Sequence, residues 1–284
     1  MTTEISDTII TYRPFREDDV PAAHALTQAV RWPHRIEDWQ AVVRLGTGFA
    51  AEERGAVVGT ALWWAQGEHQ ASLGMVIVAA THQGRGIGRE LMERVLQETG
   101  TRQTLLIATP AGQPLYERLG FAATGTIHQH QGIMQAIAPP VGAGEVRLAE
   151  PAELGTLIDL ANRATGRSRD AIVKHLAQVG EAAVLERDGA VAGFSIMRRF
   201  GRGHAIGPLV APDADGARAL VAFWSGAYAG TFVRIDVTGA ADLAPWLEQA
   251  GLAQVDSGVA MARNGEPRHD AALQQFAIVN QALC

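Results

Sequence analysis

Residues 76–91, VIVAATHQGRGIGREL, decide how the chain is read. Val76-Ile77-Val78 is an apolar run that reads as a buried strand, and it ends in a short polar turn. Gln83-Gly84-Arg85-Gly86-Ile87-Gly88 comes next, and Arg89-Glu90-Leu91-Met92 begins a helical pattern. Three glycines in five positions let a backbone approach a ligand closely, and the first helical turn presents free N–H groups there. The helix dipole favours negative charge at that end. Arg85 and Arg89 are suited to phosphate oxygens. The sober alternative is a strand-to-helix turn with glycines for packing. Two common phosphate motifs do not fit. The Rossmann fingerprint needs a glycine where Arg89 stands, and the P-loop needs Lys and Ser/Thr where Arg89-Glu90 follow Gly88.

The rest of the chain limits the options. Its 284 residues are 47% hydrophobic and 19% charged, an ordinary globular composition with room for two domains. A net charge of -6 argues against a broad nucleic-acid or anionic-membrane surface, so neither partner is expected. Cys284 is the single cysteine, which excludes an intrachain disulfide. The opening MTTEISDTIITYRPF lacks a basic region followed by a long apolar stretch, and no apolar run reaches a membrane span. A cytoplasmic protein is the expectation.

The chain also rhymes with itself. AIAPPVGAGE (136–145) combines two prolines with two glycines and reads as a linker. YRPFREDDVPAAHALTQAV (12–30) resembles VRLAEPAELGTLIDLANRA (146–164), and AAEERGAVVGTALWW (50–64) resembles VLERDGAVAGFSIMR (184–198). SLGMVIV (72–78) resembles AIGPLVA (205–211), and PLYERLGFAATG (114–125) resembles WLEQAGLAQVDSG (246–258). The offset stays between 131 and 134 residues, as two copies of one mixed α/β fold require. The expected boundaries are 1–138, a linker at 139–144, and 145–284. The tail HDAALQQFAIVNQALC (269–284) reads as one amphipathic helix.

Gln83-x-x-Gly86-x-Gly88 after an apolar strand, followed by Arg89-Glu90-Leu91-Met92, resembles the acetyl-CoA motif of the GNAT acyltransferases, [RQ]-x-x-G-x-[GA]. LYERLGF (115–121) follows about thirty residues later and resembles that family's second signature, with the strand TLLIAT (104–109) between them. The resemblance covers roughly residues 9–138. It implies an α/β (α+β) fold of two tandem GNAT-like domains. Each would be a mixed, mostly antiparallel sheet flanked by helices, with the second copy degenerate.

The resemblance also implies roles. Gln83, Gly84, Arg85, Gly86, Ile87, Gly88 and Arg89 would hold the pyrophosphate of acetyl-CoA. Val76, Ile77 and Val78 would line its pantetheine arm beside splayed strands, and Thr109 would border the cofactor. N–H donors aimed at the acyl oxygen stabilise the charge that forms when an amine attacks. Direct transfer needs only proximity, with no enzyme nucleophile and no metal. Tyr116 would protonate the departing thiolate; the plainer reading is a core aromatic beside Leu115 and Leu119. No general base stands out among Glu52, Glu68, His34, His69, His128 and His130. Trp32, His34 and Trp64 are the acceptor-site candidates, with Trp39 and Trp63 nearby. An aromatic wall suits an amine with an apolar or cationic part, although plain packing explains tryptophans equally well.

The second copy departs where chemistry is at stake. Asp213 and Asp215 stand where the first has Gln83-Gly84-Arg85, and carboxylates repel a pyrophosphate. The position matching Tyr116 is Leu247. GHAIGPLVA (203–211) and RIDV (234–237) resemble the C-terminal domain of two-domain GNAT proteins of the YitH-like kind. In such pairs that domain is expected to brace the first and close the acceptor site. Arg198, Arg199, Arg202 and His204 form a basic cluster that reads as a solvated hairpin or a contact for an acidic acceptor. The expected activity is acetyl transfer from acetyl-CoA to a primary amine of a small molecule, by a monomer or homodimer. The alternatives are acetylation of a protein or peptide amine, and a non-catalytic acetyl-CoA sensor.

Overall fold

A computed structural model describes residues 9–239 and 243–284. The first half runs β1 (Ile10–Pro14), α1 (Val20–Ala29), α2 (Ile36–Leu45), β2 (Thr47–Glu53), β3 (Ala56–Ala65), β4 (Gln70–Val78), α3 (Ile87–Thr99), β5 (Gln103–Ala108), α4 (Gln113–Arg118) and β6 (Ala122–Ile133). The second repeats that order as β7 (Glu145–Leu148), α5 (Leu154–Thr165), α6 (Asp170–Val179), β8 (Gly180–Arg187), β9 (Ala190–Phe200), β10 (Gly203–Ala211), α7 (Ala214–Ala227), β11 (Phe232–Thr238), α8 (Ala244–Gln249) and β12 (Ala253–Arg263). One further strand, β13 (Gln274–Ala277), has no counterpart among the described residues of the first half. The mixed, mostly antiparallel sheet flanked by helices matches the expected class.

The chain forms two compact units: the chain up to Trp64 with Leu73–Gly100, and Ala65–Ser72 with Thr101–Cys284. In the first, β1 and β2 pair antiparallel, as do β2 and β3. Ile87, Leu91, Met92 and Val95 form the buried stripe of α3, spaced as a helix needs to lay one apolar face on a sheet. Trp39 and Trp64 are fully buried and anchor this core.

The second unit shows why the compact units do not follow the linker. β12 pairs antiparallel with both β5 and β6, and β6 pairs in turn with β11. The last shared strand of each half is thus hydrogen-bonded to the fifth strand of the other. Its core gathers Leu220, Trp224, Val233, Ile235 and Leu247 under α7 and α8.

The tail is not a helix. Gln274–Ala277 is a strand, and residues 278–280 and 282–284 are buried almost without interruption. An amphipathic helix would bury one stripe and expose the rest; residues 276–284 are buried almost throughout, so the apolar run serves a strand and a core plug.

Candidate active site

The glycine turn is built as the sequence expects, and each residue has a specific place. Gly84 and Gly86 both take left-handed conformations, with φ of 75° and 79°. That region costs an L side chain energy that glycine avoids. A Cβ placed on either would meet nothing within 4 Å, so both face open space. Gly86 is the N-cap of α3 and supplies no side-chain cap. The first intrahelical bond runs from Glu90 N–H to Gly86 O, so Ile87, Gly88 and Arg89 begin the helix with N–H groups that have no intrahelical acceptor. The side chain of Ile87 is buried and fixes the helix on its sheet, while its N–H belongs to the open turn. This is the arrangement an anion requires: donors, dipole and no side chain in the way.

Side chains around the turn hold it in shape. Gln83 Nε2 donates to Val78 O at 3.1 Å, tying the turn to the end of β4. Arg85 donates to Glu53 at 2.9 Å, and His82 Nε2 meets the same carboxylate at 3.0 Å. Hydrogen bonds from His82 and then Arg85 hold the Glu53 carboxyl below its ordinary range. Arg89 is paired with Glu93 at 2.7 Å along the exposed side of α3. The sequence reading missed Glu53. Its signal was a second acid after Glu52 at the end of the strand facing the turn.

β4 carries another feature no sequence pattern announced. Met75 has φ of 53° inside a strand, a rare conformation for a residue with a side chain. Thr60 Oγ1 donates to Met75 O at 2.7 Å and fixes that carbonyl. Gly74, a glycine inside a strand, was the available hint. Val76, Ile77 and Val78 follow this irregularity directly, with Ile77 buried and the two valines half-buried.

Tyr116 lies on α4 in the second unit, about nine-tenths buried, with its ring edge-on to Phe121 at 6.1 Å. Burial pushes its hydroxyl up to about 12, so it stays protonated at neutral pH, as a proton donor must. Its hydroxyl has no hydrogen-bond partner among the described residues. Thr109 caps the turn before α4, its Oγ1 accepting from Gly112 N–H at 3.2 Å.

The acceptor candidates divide. Trp32 and His34 are half-buried, with rings 5.9 Å apart. Trp39 lies in the core, donating to Thr27 at 3.3 Å. Trp64, expected at the acceptor, is also core: 1% exposed, with its indole N–H donating to Val42 O at 2.7 Å. Trp63 is the outward member of that pair and donates to Glu98. Among the base candidates, Glu52 is held by Arg13 at 2.8 Å and His130 is buried against Leu252 O at 3.0 Å. His128 bonds Gln254 at 3.1 Å, whereas Glu68 and His69 are exposed. Among the described residues, no three His, Cys, Asp or Glu side chains group as metal ligands. No helix among them is long and apolar enough to cross a membrane.

The second copy's equivalents are closed. Asp213 caps α7 by accepting from Gly216 N–H at 2.8 Å and pairs with Arg187. Leu247 is fully buried. Arg198 of the basic cluster turns inward, donating to Gly207 O at 2.7 Å and Val279 O at 2.6 Å.

Two family models, each described as an acetyltransferase (GNAT) domain, match residues 44–123 and 157–277. The uncharacterized N-acetyltransferase YitH of Bacillus subtilis (strain 168) is 27% identical over 173 residues, 58% of this chain and 60% of that protein. The match therefore spans about three fifths of that relative. A crystal structure of a Pyrococcus horikoshii protein proposed to be an acetyltransferase aligns at a TM-score of 0.80 with 19% identity, covering 100% of this chain and 99% of that one. A GCN5-related N-acetyltransferase from Sphaerobacter thermophilus aligns at 0.62 with 15% identity, over 91% of this chain and 96% of that one. At these identities the structural likenesses establish the fold.

Proposed function

The chain belongs to the GNAT acetyltransferases as a tandem of two such domains, and from that premise we propose that the first copy, residues 1–138, binds acetyl-CoA and passes its acetyl group to a primary amine of a small molecule. The observation that carries the reading is the α3 N-terminus. Its glycines hold left-handed conformations in open space, and its cap position contributes only backbone. A pyrophosphate fits such a cradle. When bound, acetyl-CoA supplies an activated acyl group.

The chain's own residues do the rest. Gly84, Gly86, Ile87, Gly88 and Arg89 hold the pyrophosphate through backbone N–H groups, with Gln83 bracing the turn. Arg85 exchanges Glu53 for phosphate oxygens. Val76, Ile77 and Val78 line the pantetheine arm and present N–H donors to the acyl oxygen, and Thr109 borders the cofactor. The amine nitrogen forms a bond to the acyl carbon, the carbon–sulfur bond breaks, Tyr116 gives its proton to the departing sulfur, and the proton lost by the nitrogen passes through solvent to restore the Tyr116 hydroxyl. The acceptor amine must reach the site deprotonated. Trp32 and His34 border the acceptor. The second copy, residues 145–284 after a linker at 139–144, braces the first and takes no part in the chemistry.

A panel of small amines with acetyl-CoA, monitored by release of free thiol, tests the reading. Amine-dependent thiol release by the wild type, lost in Tyr116→Phe, is the expected result. Tight acetyl-CoA binding with no turnover on any small amine or peptide would contradict it.

A further inference from the structure

The second copy binds something already, and it is a segment of this chain. β10 and β11 run parallel over only three pairs, His204, Ala205 and Ile206 against Val233, Arg234 and Ile235. β10 then changes partner. Leu209, Val210 and Ala211 pair antiparallel with Ala277, Gln275 and Gln274 of β13. β13 also reaches β11, where Ala277 pairs with Val237 and Ile278 N–H donates to Asp236 O at 3.0 Å. The tail thus sits as a wedge between two diverging strands and uses the backbone groups that the divergence leaves free.

Beyond the wedge, residues 278–284 pass between side chains that grip main-chain oxygens. Arg198 donates to Val279 O at 2.6 Å. Arg169 donates to Leu283 O at 2.9 Å and Cys284 O at 2.6 Å. Gln66 donates to Leu283 O at 3.2 Å and accepts from Arg167 at 2.8 Å. Arg169 is 1% exposed, and it has no carboxylate side chain as an ion-pair partner among the described residues. A buried guanidinium needs acceptors for its donors. Here Arg169 finds them in the main-chain oxygens of the last two tail residues. Phe276, at 2% exposed, and Ala277, at 0%, supply the apolar anchor.

We propose that the gap between β10 and β11, with Arg169, Arg198 and Gln66, is a peptide-binding site of the strand-addition kind, occupied in cis by residues 274–284. Recognition combines strand pairing with pockets for alternate side chains, the chemistry of β-augmentation. The second copy of this acetyltransferase is then a peptide-binding frame that holds its own tail. The inference does not depend on where acetyl-CoA binds, and its test uses none.

A protease recognition sequence inserted between Gly265 and Glu266 allows the tail to be cut in the otherwise full chain. After cleavage, the 266–284 fragment stays bound through size exclusion and exchanges with an excess of labelled peptide of the same sequence. A labelled peptide carrying Phe276→Asp and Ala277→Asp does not exchange in. Arg169→Ala in the cut chain speeds release about tenfold, the scale expected for hydrogen bonds from a charged donor. Unfolding on cleavage by circular dichroism, loss of the fragment without rebinding, retention with no exchange, or equal uptake of the double-Asp peptide would each overturn the proposal.

Discussion

Two helices of this chain begin after equivalent strands and treat their N-termini in opposite ways. α3 starts at Gly86, with φ of 79° and no side-chain cap. α7 starts at Asp213, whose carboxylate accepts from Gly216 N–H and pairs with Arg187. Both termini have free donors and a positive dipole end to satisfy. The first has no side-chain cap at Gly86, and the second fills the place with a resident carboxylate. In the second copy the wedge between β10 and β11 is filled as well, by β13. The second copy is therefore closed from within, by a single carboxylate at its helix and a single added strand.

The comparison breaks most clearly at Tyr116, whose counterpart Leu247 is pure packing. Tyr116→Phe lowers kcat by ~10²–10⁴-fold, the usual worth of a general acid, and leaves acetyl-CoA affinity within a few-fold. Steady-state kinetics beside calorimetry separates the two, and an unchanged kcat would return Tyr116 to the core. Its hydroxyl sits near 12, so an alkaline limb seen between pH 7 and 10 must come from another group.

The second test gives the open terminus the charge of the closed one. Gly86→Asp has room for its side chain but strains a left-handed backbone, and Gly86→Asn, with the same strain and no charge, is its control. Two unit charges at ~4 Å repel by ~1 kcal/mol in water and ~4 kcal/mol near a protein surface, so acetyl-CoA binding should weaken about a hundredfold. Binding within twofold of wild type in a folded variant would break the comparison.

The reverse change is smaller. Asp213→Ala removes a helix cap and lowers stability by about 1 kcal/mol in chemical denaturation. It opens no second acetyl-CoA site, because β13 remains in the wedge. The Asp213 carboxyl, held near 2 by Arg187 and the Gly216 N–H, lies below its ordinary value. Its contribution is therefore complete above the ordinary aspartate range and is lost as the pH falls towards about 2. Half-exposure of the carboxylate screens the ion pair, so the cap accounts for most of the effect.

Glu53→Gln is the mildest change. It frees Arg85 and His82 from a competing carboxylate, and acetyl-CoA should bind a few-fold more tightly at low salt, with the gain disappearing at high salt. Weaker binding would show that Glu53 shapes the turn rather than competing with the phosphates.

What the sequence disclosed follows from how local each feature is. The turn at 83–88 was legible because glycine conformation and helix donors are matters of a few adjacent residues. The alternation in Trp63-Trp64 required one side chain in and one out, but gave no means of choosing Trp64 for the core. Asp213 was legible as a repulsive charge; its capping bond needed the fold of α7 to be seen. The pairing of β6 with β11 and β12 was invisible, since an alternating strand does not name its neighbours. The tail misled for the same reason. FAIV fits a helix face as readily as a strand until its partners on β10 and β11 are known.

The α3 N-terminus is proposed as the single acetyl-CoA cradle of the chain. Isothermal titration of the full chain with acetyl-CoA measures this directly. One site per chain, lost or weakened about a hundredfold in Gly86→Asp and retained in Asp213→Ala, is the predicted result. Two sites per chain, or full binding in a folded Gly86→Asp variant, would contradict it.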